Sequence, residues 1–154
     1  MEIKINLLIT ILLYSIIVSQ SVSYIISLRD VQQNMTAAEY IVFRKLTDKN
    51  FRSKFRPVIY ASLVSNLLLV VLCGIHFNGL LFTGAAVAFV GLLTDIIITI
   101  KGNLPVNNII NTWTPEKYPE NWADYRRYWL QVFCKRQVAN LTGFVSLLAA
   151  AIFS

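Results

Sequence analysis

The chain has few of the residues from which enzyme sites are usually built. It contains two cysteines and one histidine among 154 residues. Cys73 and Cys134 form no CxxC pair, which argues against a disulfide framework or a thiol-redox site. His76 has no ligand-type residue near it, so we expect a surface residue and neither a metal ion nor a haem. GxSxG, Walker, HExxH and dinucleotide-binding glycine patterns are absent, and hydrolase, ATPase and dinucleotide functions lose their usual support.

Charge is also scarce. Charged residues make up 14% of the chain and apolar residues 56%, whereas soluble domains carry about 25% charged residues. The apolar residues form four long runs, and a bilayer core of about 30 Å needs roughly 20 helical residues. Backbone groups in lipid must be hydrogen-bonded within their own segment, so the runs should be helices. The sequence predicts one all-α, integral membrane four-helix bundle over residues 1–154, with spans at about 5–28, 57–75, 79–100 and 126–153.

The first apolar run also has features of a signal peptide. Lys4 precedes it, and Ser19-Gln20-Ser21 offers small residues for cleavage. The run is longer than the 7–15 residues usual for a signal core, so we expect a retained helix.

The basic residues indicate an orientation. Most of the 14 Lys and Arg residues lie between spans one and two and between span three and the start of span four. Because short basic loops stay in the cytoplasm, we expect both termini outside the cytoplasm, in a bacterial inner membrane. Anionic headgroups explain the net charge of +6 better than nucleic acid does.

The two basic connections differ in pattern. Thr36 and Glu39 have the spacing of a capping box, and apolar residues follow at helical spacing. This predicts a cytoplasmic amphipathic helix between helices one and two, lying at the membrane surface or binding a partner. The connection after span three is rich in prolines and amides, which is typical of turns.

Polar residues inside the spans mark where a site could form. A charge at the depth of Asp95 must be paired or hydrated, and we expect an ion pair with Arg136. That pair is either a structural clamp or the charged floor of a ligand pocket. Asn66 and Asn140 either form interhelical hydrogen bonds or line a polar cavity.

A specific pattern of residues lies between Leu104 and Arg136. Its members are Leu104, Pro105, Val106, Asn107, Trp113, Pro119, Trp122, Arg126, Trp129 and Arg136. A second stretch runs from Ala37 through Arg44, Asp48 and Phe51 to Pro57. In these residues the chain resembles the anthrone-oxygenase-like family of small four-helix membrane proteins. The resemblance covers about three-quarters of the chain, and its most specific part lies between Pro105 and Arg136.

Fungal members of that family oxidise anthrones to anthraquinones with O₂ and no conventional cofactor. The resemblance therefore implies a pocket for a flat, apolar, oxygenated ring compound. It implies these site residues: Asn107, Trp113, Trp122, Arg126, Trp129 and Arg136. Asn108 would orient substrate oxygens beside Asn107. The chain departs from the family at Phe133, where relatives often have a histidine that could act as a base.

Three functions fit these observations. The first is a cofactor-independent oxidoreductase, in which Asp95 and Arg136 take part in catalysis and a cation stabilises a phenolate or enolate. The second is a non-catalytic accessory or lipid-binding subunit of a larger membrane complex, or a homo-oligomer. The third is a small transporter, which has less support because the helices show no broken-helix signal.

Overall fold

The computed structural model describes the whole chain, residues 1–154, as an all-helical bundle without strands. Four long helices account for most of it: α1 (Glu2–Asn34), α2 (Ala37–Ile75), α3 (Gly79–Ile110) and α4 (Trp122–Phe153). Each helix is long and apolar enough to cross a membrane. The predicted fold class is confirmed at this level.

Short connections make neighbouring helices antiparallel. Met35 and Thr36 link α1 to α2, and residues 76–78 link α2 to α3. Residues 111–121 link α3 to α4 and contain a tight turn in which Thr114 and Lys117 exchange backbone hydrogen bonds of 3.0 and 3.1 Å. We call the end of the bundle that holds the first and third connections the basic end. Both chain termini lie at the opposite end.

The helices extend well beyond the predicted spans. Thr36 caps α2 with the expected capping box, but no separate amphipathic helix follows, because α2 continues from Ala37 through Pro57 to Ile75. In the same way, α3 passes through Pro105 to Ile110.

Pro57 and Pro105 each follow a widened helical turn. A five-residue π-helical turn ends at Phe55, two residues before Pro57, and another ends at Asn103, two residues before Pro105. Proline lacks an N–H and its ring clashes with the carbonyl four residues earlier. A local π-helical turn changes the hydrogen-bond register there, which lets each helix continue where the sequence predicted a break.

Small residues bring α3 and α4 into close contact. A Cβ atom on Gly84 would lie 2.3 Å from the Cβ of Ala150, and one on Gly143 would lie 2.3 Å from the Tyr14 hydroxyl. That hydroxyl donates to the Ala88 carbonyl at 3.4 Å, which ties α1 to the same contact. Backbones this close are typical of membrane helices, since lipid leaves dispersion and hydrogen bonds to hold them together.

The core has two parts. One fills the half of the bundle away from the basic end, around Tyr14, Leu69 and Ala88. The other lies at the basic end and is mostly aromatic, with Trp129 and Phe133 among its members. Large apolar side chains such as Val64 and Val138 remain exposed around the outside, as expected for a surface that faces lipid.

Candidate functional site

A cleft of about 510 Å³ borders the aromatic part of the core. All four helices line it, with Tyr24 from α1, Phe51 from α2, Asn103 from α3 and Phe133 from α4. The volume lies within the range of about 300–1,000 Å³ that small-molecule sites occupy. Each of the three π-helical turns, Tyr24–Leu28, Phe51–Phe55 and Thr99–Asn103, contributes to the lining. Such turns are frequent at functional sites because they redirect side chains out of the regular helix pattern.

Asn107 is the centre of a hydrogen-bond network at the polar end of the cleft. Its Oδ1 accepts from Trp129 Nε1 at 2.9 Å and from an Arg44 guanidinium nitrogen at 3.2 Å. Its amide nitrogen donates to Asp48 Oδ1 at 2.9 Å. One side chain of α3 thereby fixes an aromatic residue of α4 and two charged residues of α2.

The Asp48 carboxylate is fully engaged. Besides Asn107, it accepts from Asn111 Nδ2 at 2.9 Å and forms an ion pair with Arg52 at 2.8 Å. Arg52 also donates to Asn108 Oδ1 at 2.8 Å. These bonds connect α2 to α3 at the basic end, and Asp48 accepts three hydrogen bonds from groups of the protein.

The expected ion pair between Asp95 and Arg136 is present. Arg136 Nε lies 2.5 Å from Asp95 Oδ1, and both side chains are largely buried. Arg136 also donates to Asn103 Oδ1 at 3.1 Å, and Asn103 donates in turn to the Trp129 carbonyl at 3.0 Å. The pair joins α3 to α4, and its Arg136 end reaches the cleft lining.

Arg44 is a buried cation that lacks a carboxylate partner. It is 4% exposed, and its carbon Cζ lies 3.8 Å from the centre of the Trp129 ring. Burial lowers the pKa of its guanidinium to about 10, although Tyr40 and Asp48 oppose the change. The group is therefore still positive at neutral pH, and its Nε has no hydrogen-bond partner.

Aromatic side chains form much of the remaining wall. Trp129 stacks on Phe133 with ring centres 5.0 Å apart, and Phe133 meets the edge of Tyr24 at 4.7 Å. Phe51 and Phe55 lie 4.8 Å apart on α2. Rings arranged in this way offer flat apolar surfaces, which favour a planar ligand body.

The cleft reaches the outer surface of the bundle at apolar side chains. Tyr60 and Ile100 belong to the lining and are 62% and 56% exposed. Both residues lie in predicted spans. The cleft therefore opens on an apolar part of the outer surface.

The structure places three of the ten sequence-predicted site residues in the cleft lining: Asn107, Trp129 and Arg136. Asp95 lies directly behind Arg136, and Asn108 accepts from Arg52 at the basic end. The other five lie outside the lining, and they are Asn66, Trp113, Trp122, Arg126 and Asn140.

Residues of the third connection and of the first turns of α4 form a cap over the basic end. Arg126 donates to the carbonyls of Met35 and Gln32 at 2.8 and 3.3 Å and lies over the Trp122 ring. Trp113 is buried and meets the edge of Tyr125. These contacts close the bundle end. They also engage the guanidinium of Arg126, which the sequence analysis expected to bind a substrate.

Asn66 and Asn140 are buried inside the bundle, within the predicted spans. Asn66 is fully buried, and both polar atoms of its amide lack a partner. The Ser62 hydroxyl, one turn away on the same face of α2, is also unpartnered, as is Asn140 Oδ1. Unsatisfied polar atoms in such a place are costly.

The sequence analysis did not predict Arg44, Asp48 and Asn103 as site residues, although the first two lie in a stretch that matches the family. All three are buried, yet the first two fall in the stretch predicted as a surface helix. The available signal was a charge at every fourth position of α2, at Arg44, Asp48 and Arg52, since residues four apart share a helix face. Nothing in the sequence indicated that this face was turned inward.

No three side chains among His, Cys, Asp and Glu come together as a potential metal site. Comparisons with known protein families, with curated proteins and with solved structures gave no match to this chain. The geometry of the cleft therefore carries the functional argument.

Proposed function

We propose that this protein takes a lipophilic, oxygen-bearing ring compound from the bilayer and holds it in the four-helix cleft. One observation carries the proposal: a cleft of about 510 Å³ with aromatic walls ends at the polar network of Asn107, Asn103 and Arg44. Ligand sites commonly combine an apolar lining with a few fixed polar groups, because the first supplies affinity and the second supplies orientation.

The proposed reaction is oxidation of the bound compound by O₂. In the family that the chain resembles, a ring CH₂ becomes a C=O, and the second oxygen atom leaves as water. Asp48 and Asp95 are both held in ion pairs, so neither is free to act as a base. Phe133 occupies the position where relatives often have a histidine. The contribution of this chain to such a reaction would be binding, orientation and electrostatics.

A bound molecule can be sought directly. Protein extracted from membranes in polymer nanodiscs would be analysed by mass spectrometry for small molecules. The cleft-filling variant Ile59→Trp is compared with Val64→Trp, since Ile59 lines the cleft and Val64 is 69% exposed on the same helix. We expect an aromatic, oxygen-bearing compound from the wild type and Val64→Trp, and little or none from Ile59→Trp. Equal recovery from both variants would contradict the proposal.

Turnover needs its own assay. Reconstituted protein is supplied with anthrone, and O₂ uptake is followed together with anthraquinone formation. The oxidoreductase function predicts a rate above that of empty liposomes, with one O₂ consumed per anthraquinone. Binding without turnover, together with a membrane protein that co-purifies, would instead favour the accessory-subunit function.

We further propose that the basic end faces the cytoplasm and that both termini lie outside it. The proposal rests on the Lys and Arg residues at the basic end, nearly all of which lie on the helix segments next to the first and third connections. Reporter fusions at the C-terminus should be active only with a reporter that folds outside the cytoplasm, and cytoplasmic fluorescence of a C-terminal fusion would reverse this orientation.

A further inference from the structure

The charges around the cleft do not balance. Four guanidinium groups line it, from Arg44, Arg52, Arg56 and Arg136, together with the single carboxylate of Asp48. Counting Asp95, which pairs with Arg136, two positive charges remain in excess. Arg56 is exposed and can be neutralised by solvent or headgroups. Arg44 is buried and cannot.

No carboxylate forms an ion pair with Arg44. Its partners are the neutral amide of Asn107 at 3.2 Å and the face of Trp129 at 3.8 Å. Asp48, the nearest acid on its own helix, is engaged by Arg52, Asn107 and Asn111. The titratable groups of other elements that influence it are Tyr24 and Arg136, of which the first is neutral and the second positive at pH 7.

A buried charge normally has a counter-ion, because removing it from water is expensive. Arg44 lines the cleft, and Asn107 is the one hydrogen-bond partner of its guanidinium, whose Nε is buried without a partner. The protein therefore leaves the charge of Arg44 without a counter-ion at the wall of the cleft. The aromatic side chains of the lining, Phe51 and Phe55 among them, favour an aromatic and therefore flat ligand body.

We propose that the ligand of the cleft is a flat, apolar anion whose ionised oxygen, an enolate or a phenolate, is received by Arg44. The inference rests on the proposed function, since it names the chemical class of the compound held in the same cleft. Arg136 is already bound to Asp95 and Asn103, so it contributes positive potential, and Arg44 supplies the free donor. The bound anion would neutralise the positive charge of Arg44, which has no counter-ion within the protein.

The proposal implies that a weak acid binds in its ionised form. A suitable probe is 2-hydroxyanthraquinone, whose visible absorption moves to longer wavelength on ionisation, and anthraquinone is its neutral counterpart. The wild type in nanodiscs should bind the hydroxy compound between about 10-fold and 100-fold more tightly, as expected of one charge-assisted hydrogen bond. The bound probe should show the spectrum of its anion at a pH where the free probe is mainly neutral.

Variants test the residue. In Arg44→Gln the preference should fall to within about threefold and the spectral shift should disappear, because the charge is gone. Arg44→Lys should retain part of both. Arg127→Gln is the matched control, since Arg127 is an exposed arginine paired with Asp124 at 3.6 Å, and it should behave as wild type. Circular dichroism of each variant establishes that it is folded.

The outcomes separate the two proposals. Equal affinity of the wild type for the two probes would overturn the anion inference while leaving the proposed function intact, and this comparison needs no variant. Failure of both probes to bind would count against both proposals. Palmitate and inorganic phosphate are tested as competitors. Displacement of the hydroxy compound by either one at a similar concentration would overturn the flat-ligand class, and failure to displace it would support that class.

Discussion

Removing one partner of the Asp95–Arg136 pair should destabilise the bundle markedly. The pair joins α3 and α4 at 2.5 Å, with side chains 4% and 11% exposed. Asp95→Leu leaves Arg136 as a buried cation without a carboxylate, and Arg136→Met leaves Asp95 as a buried anion.

The magnitude follows from what each residue retains. Breaking a buried pair by removing one partner costs about 3–5 kcal/mol. In Asp95→Leu the guanidinium keeps its bond to Asn103 at 3.1 Å and its position near the Phe133 ring, so we expect about 3 kcal/mol. Asp95 has no other side-chain partner, so Arg136→Met should cost about 4 kcal/mol by the same principle. The double variant removes both charges and should recover at least about 1.5 kcal/mol relative to the sum of the single changes.

The assay is unfolding by sodium dodecyl sulfate in mild-detergent micelles, followed by far-ultraviolet circular dichroism. Asp124→Leu provides the matched control, because Asp124 and Arg127 form an exposed pair, which should contribute no more than about 0.5 kcal/mol. If Asp95→Leu and Asp124→Leu lower the free energy of unfolding equally, or if the double variant shows no coupling, the reasoning about the buried pair is refuted.

Three further changes can be measured in the same way. Gly84→Ala should lower the free energy of unfolding by about 1–3 kcal/mol, since its Cβ would lie 2.3 Å from that of Ala150. A Cβ on Gly79 would meet nothing within 4 Å, so Gly79→Ala should leave the free energy of unfolding unchanged. Equal effects of the two variants would argue against the close α3–α4 contact. Asn66→Leu should stabilise the protein by about 1–3 kcal/mol, because it removes two unpartnered polar atoms, and a loss of stability would show that the amide has a partner. Asp48→Ala should cost about 2–3 kcal/mol by leaving three donors without their acceptor, and a neutral effect would exclude Asp48 as the link between α2 and α3.

The membrane-level architecture could be predicted because it depends on simple constraints. Hydrocarbon requires about 20 apolar residues per crossing, and the four runs meet that requirement independently of tertiary contacts. The Asp95–Arg136 pair could be predicted for a related reason, since an acid at that depth needs a cation and the fourth helix offers one. The capping box at Thr36 is local, so the spacing alone was enough.

The parts that could not be predicted depend on how the helices pack. Pro57 and Pro105 indicated helix ends, but a π-helical turn before each one lets α2 and α3 continue to the basic end. That continuation turns Arg44 and Asp48 inward toward Asn107, although the same residues read as the polar face of a surface helix. Sequence periodicity reports that a helix has two faces, and only the neighbouring helices decide which face is buried.

The same argument explains the fate of the aromatic and basic residues near α4. Trp122 and Arg126 suggested a substrate site because cations and rings often serve ligands. The carbonyls of Gln32 and Met35, which end α1, take up the donors of Arg126. Unsatisfied carbonyls at a helix end need such partners, but their position relative to α4 is a tertiary property.

Fluorescence of Trp129 offers the most direct test that a flat ring compound occupies the cleft. Of the three tryptophans, Trp129 alone belongs to the cleft lining, so a variant with Trp113→Phe and Trp122→Phe reports on the cleft alone. Titration with 2-hydroxyanthraquinone in nanodiscs should quench this emission saturably. In a variant whose only tryptophan is the cleft-filling Ile59→Trp, with Trp113, Trp122 and Trp129 all changed to Phe, the quenching should not saturate. Quenching that rises linearly without saturation, or that is equal for a protein retaining only Trp113, would contradict the account.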